Sequence, residues 1–316
     1  SIGSVIVELC LSGRAKEVIC VDNSEYNIYK LEQNFSDERL KTYVSDIKDY
    51  QMMDYFFSTY SPDIVFHAAA LKHVNIQEKN IRDCLLTNVF GTNNILKLSI
   101  KYNTSNFVLI STDKAVEPSN YMGLSKRIAE ILVEFHSSQA NVKMSSVRFG
   151  NVIGSSGSVL NHFTSLIKNK KDIVVTHPKV SRFFMSIKEA CYLVLLSIQN
   201  SQNKHQVFML DMGEEILIKD IAENLIQLNG LVVDKDIKIL YSQLEKGEKL
   251  SEKLNYEFEQ SFDTEVSKLI RLDSNKKIEE NKIHDFMKDL SNLVYSKKAS
   301  NDEIAKFINE VMKGLV

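Results

Sequence analysis

The chain has 316 residues, 44% hydrophobic and 25% charged, with a formal net charge of −2. That length supports one large domain or two unequal lobes with a well-buried core, and the charge balance gives no reason to expect nucleic acid or an anionic membrane surface as partner. No apolar run reaches the ~18 residues of a spanning helix and no signal peptide is visible, while Cys10, Cys20, Cys84 and Cys191 form no C-x-x-C pair and the seven histidines are scattered, so reduced thiols and no metal site are expected.

The chain opens "SIGSVIVELC", with Ser1 and Ile2 leading into Gly3 at the head of a helical pattern. A glycine there lets the backbone approach a pyrophosphate, and the helix N-terminus adds N–H donors and a positive dipole. Nineteen residues later the strand "EVICVD" ends on Asp22, the spacing at which a carboxylate accepts hydrogen bonds from adenosine ribose hydroxyls. Asp46 and Ile47, at the end of the next strand, are placed to meet the adenine. One Gly and one Asp are also what a plain helix start and a turn require. The pattern begins mid-motif, since a dinucleotide fold needs a strand and two more glycines before Gly3. A natural N-terminal stretch ahead of Ser1 is therefore expected, and a membrane anchor within it is left open.

Strand patterns follow at 17–22, 41–47, 63–69, 106–111 and 143–149, alternating with helical patterns near 4–12, 25–34, 50–59, 81–102 and 122–137. Several of these strands are apolar nearly throughout, as strands covered on both faces are. The alternation predicts an α/β fold with a Rossmann-like, doubly wound parallel sheet and ligands at the carboxyl ends of its strands. Residues 1–150 form the expected dinucleotide-binding domain, the one to which the resemblance given below assigns NAD(P). Beyond Gly150 the pattern shifts to helices near 157–169, 187–199 and 217–229 and short strands at 172–177, 206–210 and 237–242. Residues 151–316 are expected to form a smaller lobe completed by Lys- and Glu-rich C-terminal helices, with scope for the chain to cross back to the first domain.

The stretch "STDKAVEPSNYMGLSKR" (111–127) carries the chemistry. Asp113 and Lys114 are adjacent just past a strand end, where a substrate would lie. Helix residues turn about 100° apart, so Met122 and Lys126 share a face while Tyr121 and Lys126 diverge by roughly 140°. If the helix starts before 121, Tyr121 cannot stand in for a catalytic tyrosine four residues before the lysine. Losing a general base costs about 10²–10⁴ in rate unless another group substitutes.

Together "VFHAAALKHV", "NVFGTNNIL", "STDKAVEPSNYMGLSKR", "VRFGNVIGSSGSV" and "THPKVSRFFMSI" resemble the extended short-chain dehydrogenase/reductase family. More narrowly they resemble its CapD-like, polysaccharide-biosynthesis branch of nucleotide-sugar 4,6-dehydratases. The likeness runs from Ser1 through "LEKGEKLSEKL" near residue 254. It implies NAD or NADP held by the first lobe and retained through the reaction, with a UDP-sugar, usually UDP-N-acetylglucosamine, between the lobes. The implied reaction oxidises C4 temporarily, removes water across C5 and C6, and returns hydride to C6.

The resemblance also implies roles. Asp113 is the acid that protonates the departing O6, and Lys114 the base that takes the C5 proton. The branch commonly carries Met at the usual Tyr position, here Met122, so Asp113, Lys114 or Thr112 would also deprotonate the C4 hydroxyl. Lys126 would bond the nicotinamide ribose, and Asn88 matches a helical Asn that orders backbone near the catalytic Lys. Small Ala68, Ala69 and Ala70 would let the backbone pass close to the cofactor, with Lys72 and His73 toward the sugar. Asn151 would reach sugar or pyrophosphate, and Arg182, Glu248 and Lys249 form the UDP-binding set. Asp22 followed by Asn23 lacks the Arg that suits a 2′-phosphate, which leans the cofactor to NAD. Family habit implies a homo-oligomer in the cytoplasm, at the inner membrane face if an anchor precedes Ser1. The competing readings are a UDP-sugar 4-epimerase, which has no use for an acid–base pair aimed at C5 and C6, and a non-catalytic nucleotide-binding relative.

Overall fold

The computed structural model describes residues 1–155, 157–201, 205–276 and 279–315, the side chains of 312–315 excepted. Ser156 of the "GSSGSV" stretch thus lies outside the described residues. Three strand–helix units come first: α1 (Ile2–Ser12), β1 (Val18–Asp22), α2 (Glu25–Asn34), β2 (Leu40–Val44), α3 (Tyr50–Tyr60) and β3 (Ile64–His67). Ser24 and Asp49 start α2 and α3 as N-caps, their side chains accepting from the amides of Asn27 and Met52. Next come α4 (Val74–Gln77), α5 (Ile81–Leu85), a π-helical turn (Leu86–Gly91) and α6 (Thr92–Lys101). Then follow β4 (Asn106–Ile110), a 3₁₀ turn (Asp113–Ala115), α7 (Tyr121–Ser138) and β5 (Lys143–Arg148).

The second half runs β6 (Asn151–Ile153), α8 (Val159–Lys168), β7 (Ile173–Val175), β8 (Ser181–Arg182), β9 (Phe184–Ser186), α9 (Ile187–Asn200), β10 (His205–Leu210) and β11 (Ile216–Leu217). It ends with α10 (Ile218–Leu228), β12 (Ile239–Tyr241), β13 (Glu259–Asp263), β14 (Leu269–Ser274), α11 (Glu280–Tyr295) and α12 (Asn301–Leu315).

The central sheet has the order β13-β14-β10-β5-β4-β3, with β3, β4, β5 and β10 parallel, β14 antiparallel to β10, and the edge strand β13 antiparallel to β14. β1 and β2 form a separate parallel pair. Alternation along β4 fills both faces: Phe107 and Leu109 enter one core, Val108 and Ile110 the other. The first core gathers α3, α5, α6 and α7, and the second gathers α1 and α9. Each fully buried side chain of this size contributes about 1.5–3 kcal/mol. A third core, with Phe163, Ile167, Ile173, Ile221 and Ile226, joins α8, α10, β7 and β12 into a smaller lobe.

β10, β13 and β14 lie in the central sheet, so the chain crosses back and that sheet takes strands from both sides of residue 150. One expectation changes. The C-terminal helices pack on the first core instead of completing the smaller lobe: Phe286, Leu290, Val294, Ile304 and Ile308 bury there. The reason lies in matching surfaces, because the Arg82 guanidinium on α5 donates to the carbonyls of Val294, Ser296 and Ala299. Among the described residues no helix is long and apolar enough to cross a membrane.

Candidate active site

The site is built where β4 ends. Ser111 leaves the strand, Thr112 caps the 3₁₀ turn, and Asp113 is fully buried within it. Asp113 Oδ1 accepts three hydrogen bonds: from the Thr112 hydroxyl at 2.8 Å, the Lys114 amide at 2.8 Å and Lys114 Nζ at 3.0 Å. Asp113 Oδ2 is buried and has no hydrogen-bond partner among the described residues. A side chain at Gly150 would crowd it, since a Cβ there would lie 3.1 Å from that oxygen. Strand end, tight turn and glycine together leave one carboxylate oxygen held and the other unengaged.

α7 packs against this turn through Gly123. A Cβ at that position would press into the Lys114 carbonyl oxygen and lie 3.0 Å from its carbon, so only glycine lets the helix approach. Asn120 caps α7 through the Gly123 amide, and Tyr121 is the first helical residue. The 100° spacing therefore applies from 121 onward. The Tyr121 amide donates to Glu78, and Lys246 lies 5.8 Å from the Tyr121 ring. Met122 is buried at the position facing along the helix toward Lys126.

Lys126 is 5% exposed, and burial brings its pKa down to about 8 against the opposing influence of Glu130 and Cys84. It makes no hydrogen bond or ion pair among the described residues. Asn88 sits in the π-helical turn, the irregularity that aims its amide across the site. Its Oδ1 accepts from Leu71 N at 2.8 Å, and its Nδ2 donates to Leu71 O and Ser125 Oγ, both at 2.9 Å. One amide thus clamps the 68–73 loop to α7 beside Lys126.

On that loop Ala68 and Ala69 are half-buried and Ala70 is exposed. Burial lowers the pKa of both Lys72 and His73, with the Lys72 charge adding to the effect on His73. The His73 ring lies over Gly157, where a Cβ would come within 2.6 Å of the ring. Gly3 faces open space, with nothing within 4 Å of the place a Cβ would occupy. Ser1 is within electrostatic reach of both Asp22 and Lys72. Asp22 ends β1 with Oδ1 accepting from Ser24 N at 2.8 Å and Asn27 Nδ2 at 3.2 Å. Asp46 falls two residues past β2, in a turn closed by its bond to the Lys48 amide. The Ile47 side chain belongs to the core, packed on Gly91. Ile2 is half-buried against the second core.

The other wall comes from the smaller lobe. Gly247, at φ +81°, lets the 244–254 loop dock on the start of α7: its carbonyl accepts from Ser119 Oγ and Asn120 Nδ2. Lys249 Nζ donates to Val116 O at 3.0 Å. Arg182 is buried, and its guanidinium donates to Glu248 Oε1 at 3.3 Å and to the carbonyls of Ser181 and Leu250. Thr176 Oγ1 also donates to Glu248 at 3.0 Å. Asn151 opens β6, its amide donating to Phe183 O. Sequence reasoning missed Glu252, which is buried 3.6 Å from Lys114, 3.7 Å from Lys249 and 4.0 Å from Arg182. Its signal was only the repeated acid of "GEKLSE", indistinguishable from a surface charge run.

The fold and site define a Rossmann-type α/β protein with an Asp–Lys pair at the end of β4 and a basic cluster facing it. The family model described as "polysaccharide biosynthesis protein" matches residues 1–274, and the chain belongs to that family. CapD of Staphylococcus aureus, a capsular polysaccharide biosynthesis protein, is 38% identical over 264 residues, covering 80% of this chain and 43% of the relative. EpsC of Bacillus subtilis, a probable polysaccharide biosynthesis protein, is 37% identical over 259 residues with the same coverages. The chain therefore spans less than half the length of these relatives. The solved structure of Pen from Bacillus thuringiensis is similar with TM-score 0.78 and 29% identity, over 91% of this chain and 94% of that one. Lower in identity, two structures share the fold. They are DesIV, a dTDP-glucose 4,6-dehydratase from Streptomyces venezuelae with NAD bound (TM-score 0.73, 18%, covering 99% and 94%), and UDP-glucose 4-epimerase from Thermotoga maritima (TM-score 0.71, 24%, covering 81% and 87%).

Proposed function

We propose that this chain performs NAD-dependent 4,6-dehydration of a UDP-sugar, with UDP-N-acetylglucosamine as substrate, in surface polysaccharide synthesis. The observation that carries this reading is the division of labour within Asp113: one oxygen held by three donors, the other buried and unengaged beside Lys114. A 4-epimerase handles only the C4 hydrogen and hydroxyl, so a second acid–base pair has no task in it.

A dinucleotide suits the residues present. Gly3 leaves its backbone face open, Ala68 and Ala69 are small, Asp22 ends its strand, and Lys126 is a buried cation without a protein partner among the described residues. Asp22, Gly3 and Lys126 would hold it, with the Ala68–Ala70 backbone alongside. Bound NAD supplies the reversible oxidation at C4 that no side chain here can perform.

The chain's own residues do the rest. Arg182 and Lys249 neutralise the diphosphate, and Glu248 accepts from the uridine ribose hydroxyls. Thr112 donates to Asp113 Oδ1 and fixes the carboxyl, so that Oδ2 delivers a proton to the leaving O6. Lys114 takes the C5 proton, acidified once C4 is a carbonyl. With Met122 in place of a tyrosine, deprotonation of the C4 hydroxyl falls to the Thr112–Asp113–Lys114 turn. Lys126 would bond the nicotinamide ribose and add positive charge there.

The test is to incubate the full-length protein with UDP-N-acetylglucosamine and follow product mass. Loss of one water supports the dehydratase, whereas an isomer at constant mass supports an epimerase. Unchanged substrate with nucleotide still bound indicates a non-catalytic relative.

A further inference from the structure

We propose that Glu252 is a positioning residue for Lys114, tying the base to the two cations that face the diphosphate. The inference rests on the reading of Lys114 as the C5 base. Glu252 is 4% exposed, in the loop that docks on α7. Its backbone amide donates to Glu215 Oε1 at 3.2 Å, and Ser251 Oγ and Ser181 Oγ brace the same carboxylate at 2.8 and 2.6 Å. Glu252 is thus fixed at its backbone while its own carboxylate reaches inward.

Its charge is shared among three cations. Oε1 lies 3.6 Å from Lys114 Nζ and 4.0 Å from Arg182 Nε, and Oε2 lies 3.7 Å from Lys249 Nζ. Oε2 accepts no hydrogen bond among the described residues. A buried carboxylate needs compensation, and three cations provide it. The separations are those of charge pairing, longer than a directional hydrogen bond. The Glu252 contact therefore holds Lys114 by charge alone, while the hydrogen bond to Asp113 Oδ1 at 3.0 Å fixes the amine on its other side.

Charges from several elements gather around Glu252 and the Lys114 amine. Asp113 flanks it on the 3₁₀ turn at 3.0 Å; Arg182 comes from β8; Glu248 and Lys249 lie on the Glu252 loop. Lys253, next along, is drawn away to Glu117 at 2.8 Å. With Glu252 neutral, Asp113 and Glu248 alone would oppose Lys114, Lys249 and Arg182. The ammonium formed when Lys114 takes a proton would lose a stabilising neighbour, and repulsion would shift the amine from its line to C5.

Glu252→Gln and Glu252→Asp test this in the full-length protein. Two quantities are read: kcat and KM for water loss from UDP-N-acetylglucosamine, and the titration midpoint of Lys114. The midpoint comes from NMR of lysine labelled at Cε, the signal being identified by its disappearance in Lys114→Ala. Glu252→Gln is expected to lower kcat about 10²-fold, the effect of a base misplaced by about 1 Å, with a smaller rise in KM. Its Lys114 midpoint should fall, and Glu252→Asp, which keeps the charge further back, should lie between Gln and wild type in both readings. A wild-type midpoint in Glu252→Gln, or a loss confined to KM, would overturn the proposal. If Glu252→Gln does not fold, Glu252→Asp with wild-type kcat and midpoint would overturn it equally. The midpoint needs no turnover, so a wild-type protein that removes no water refutes the dehydratase reading while the NMR titration still decides on Glu252.

Discussion

Replacing Gly123 with alanine probes how closely α7 must approach the Asp113–Lys114 turn. The added methyl would press on the Lys114 carbonyl oxygen and lie 3.0 Å from the carbonyl carbon. Carbon atoms are comfortable at about 3.5–4.0 Å, so the turn must retreat by roughly 0.5–1 Å. The obstacle is backbone, which cannot swing aside as a side-chain tip can. Overpacking of this kind costs about 1–3 kcal/mol, offset by up to about 1 kcal/mol from alanine's better helix propensity. The kinetic effect should exceed the structural one, because a shift near 1 Å at a base costs about 10² in rate. The assay pairs product mass kinetics with denaturant unfolding and UDP binding. Expected are a kcat lower by about 10²-fold, stability reduced by about 1–2 kcal/mol, and UDP affinity near wild type. A variant with wild-type kcat would refute the claim that this contact positions the catalytic turn.

Lys126→Met should abolish turnover yet raise stability at pH 7. The folded Lys126 pKa is about 8 against an ordinary lysine value of 10.5, so the folded chain gives up this proton first. The destabilisation is full below about pH 8 and fades as pH rises from about 8 to 10.5, where the unfolded chain binds more protons. The burden at pH 7 is on the order of 3 kcal/mol. Denaturant midpoints at pH 7 and pH 10 check this, and a methionine variant less stable at pH 7 would contradict it. Arg148→Leu should cost about 3–5 kcal/mol, because Arg148 binds Glu130 at 2.8 Å and Glu259 at 2.7 Å in full burial, and its loss leaves Glu130 with Arg127 and Ser111 and Glu259 with only the Tyr256 amide. Chemical denaturation measures it, and a loss below about 1 kcal/mol would show the network to be dispensable. Asn88→Ala should cost about 2–4 kcal/mol by orphaning both backbone groups of Leu71, and hydrogen exchange at the Leu71 amide should accelerate. Unchanged exchange there would refute the clamp.

The parallel core was legible in the sequence because β4 is apolar nearly throughout, as a strand buried on both faces is. The start of α7 was legible to within one residue, the helical pattern from 122 meeting a helix that begins at Tyr121. Other features depend on tertiary contacts that local pattern does not carry. Ile283, Phe286, Leu290 and Val294 announced an amphipathic helix, but not which core would take it. Asp46 read as a strand end because β-branched residues precede it, and its side chain instead closes a turn. Glu252 looks like solvent charge in "GEKLSEKL"; burial beside Lys114 follows only from the docking of Gly247 on α7. Gly123 reads as a weak point in a helix until the Lys114 carbonyl is seen against it.

The central claim is that Asp113 and Lys114 remove water from a UDP-sugar whose C4 hydrogen is returned to C6. The most direct measurement uses UDP-N-acetylglucosamine deuterated at C4, with product mass and deuterium position read for wild type and Lys114→Ala. The account predicts a wild-type product lighter by one water with the deuterium on C6, and no water loss by Lys114→Ala although it still binds NAD. A product of unchanged composition with deuterium at C4, or substantial water loss by Lys114→Ala, would contradict it.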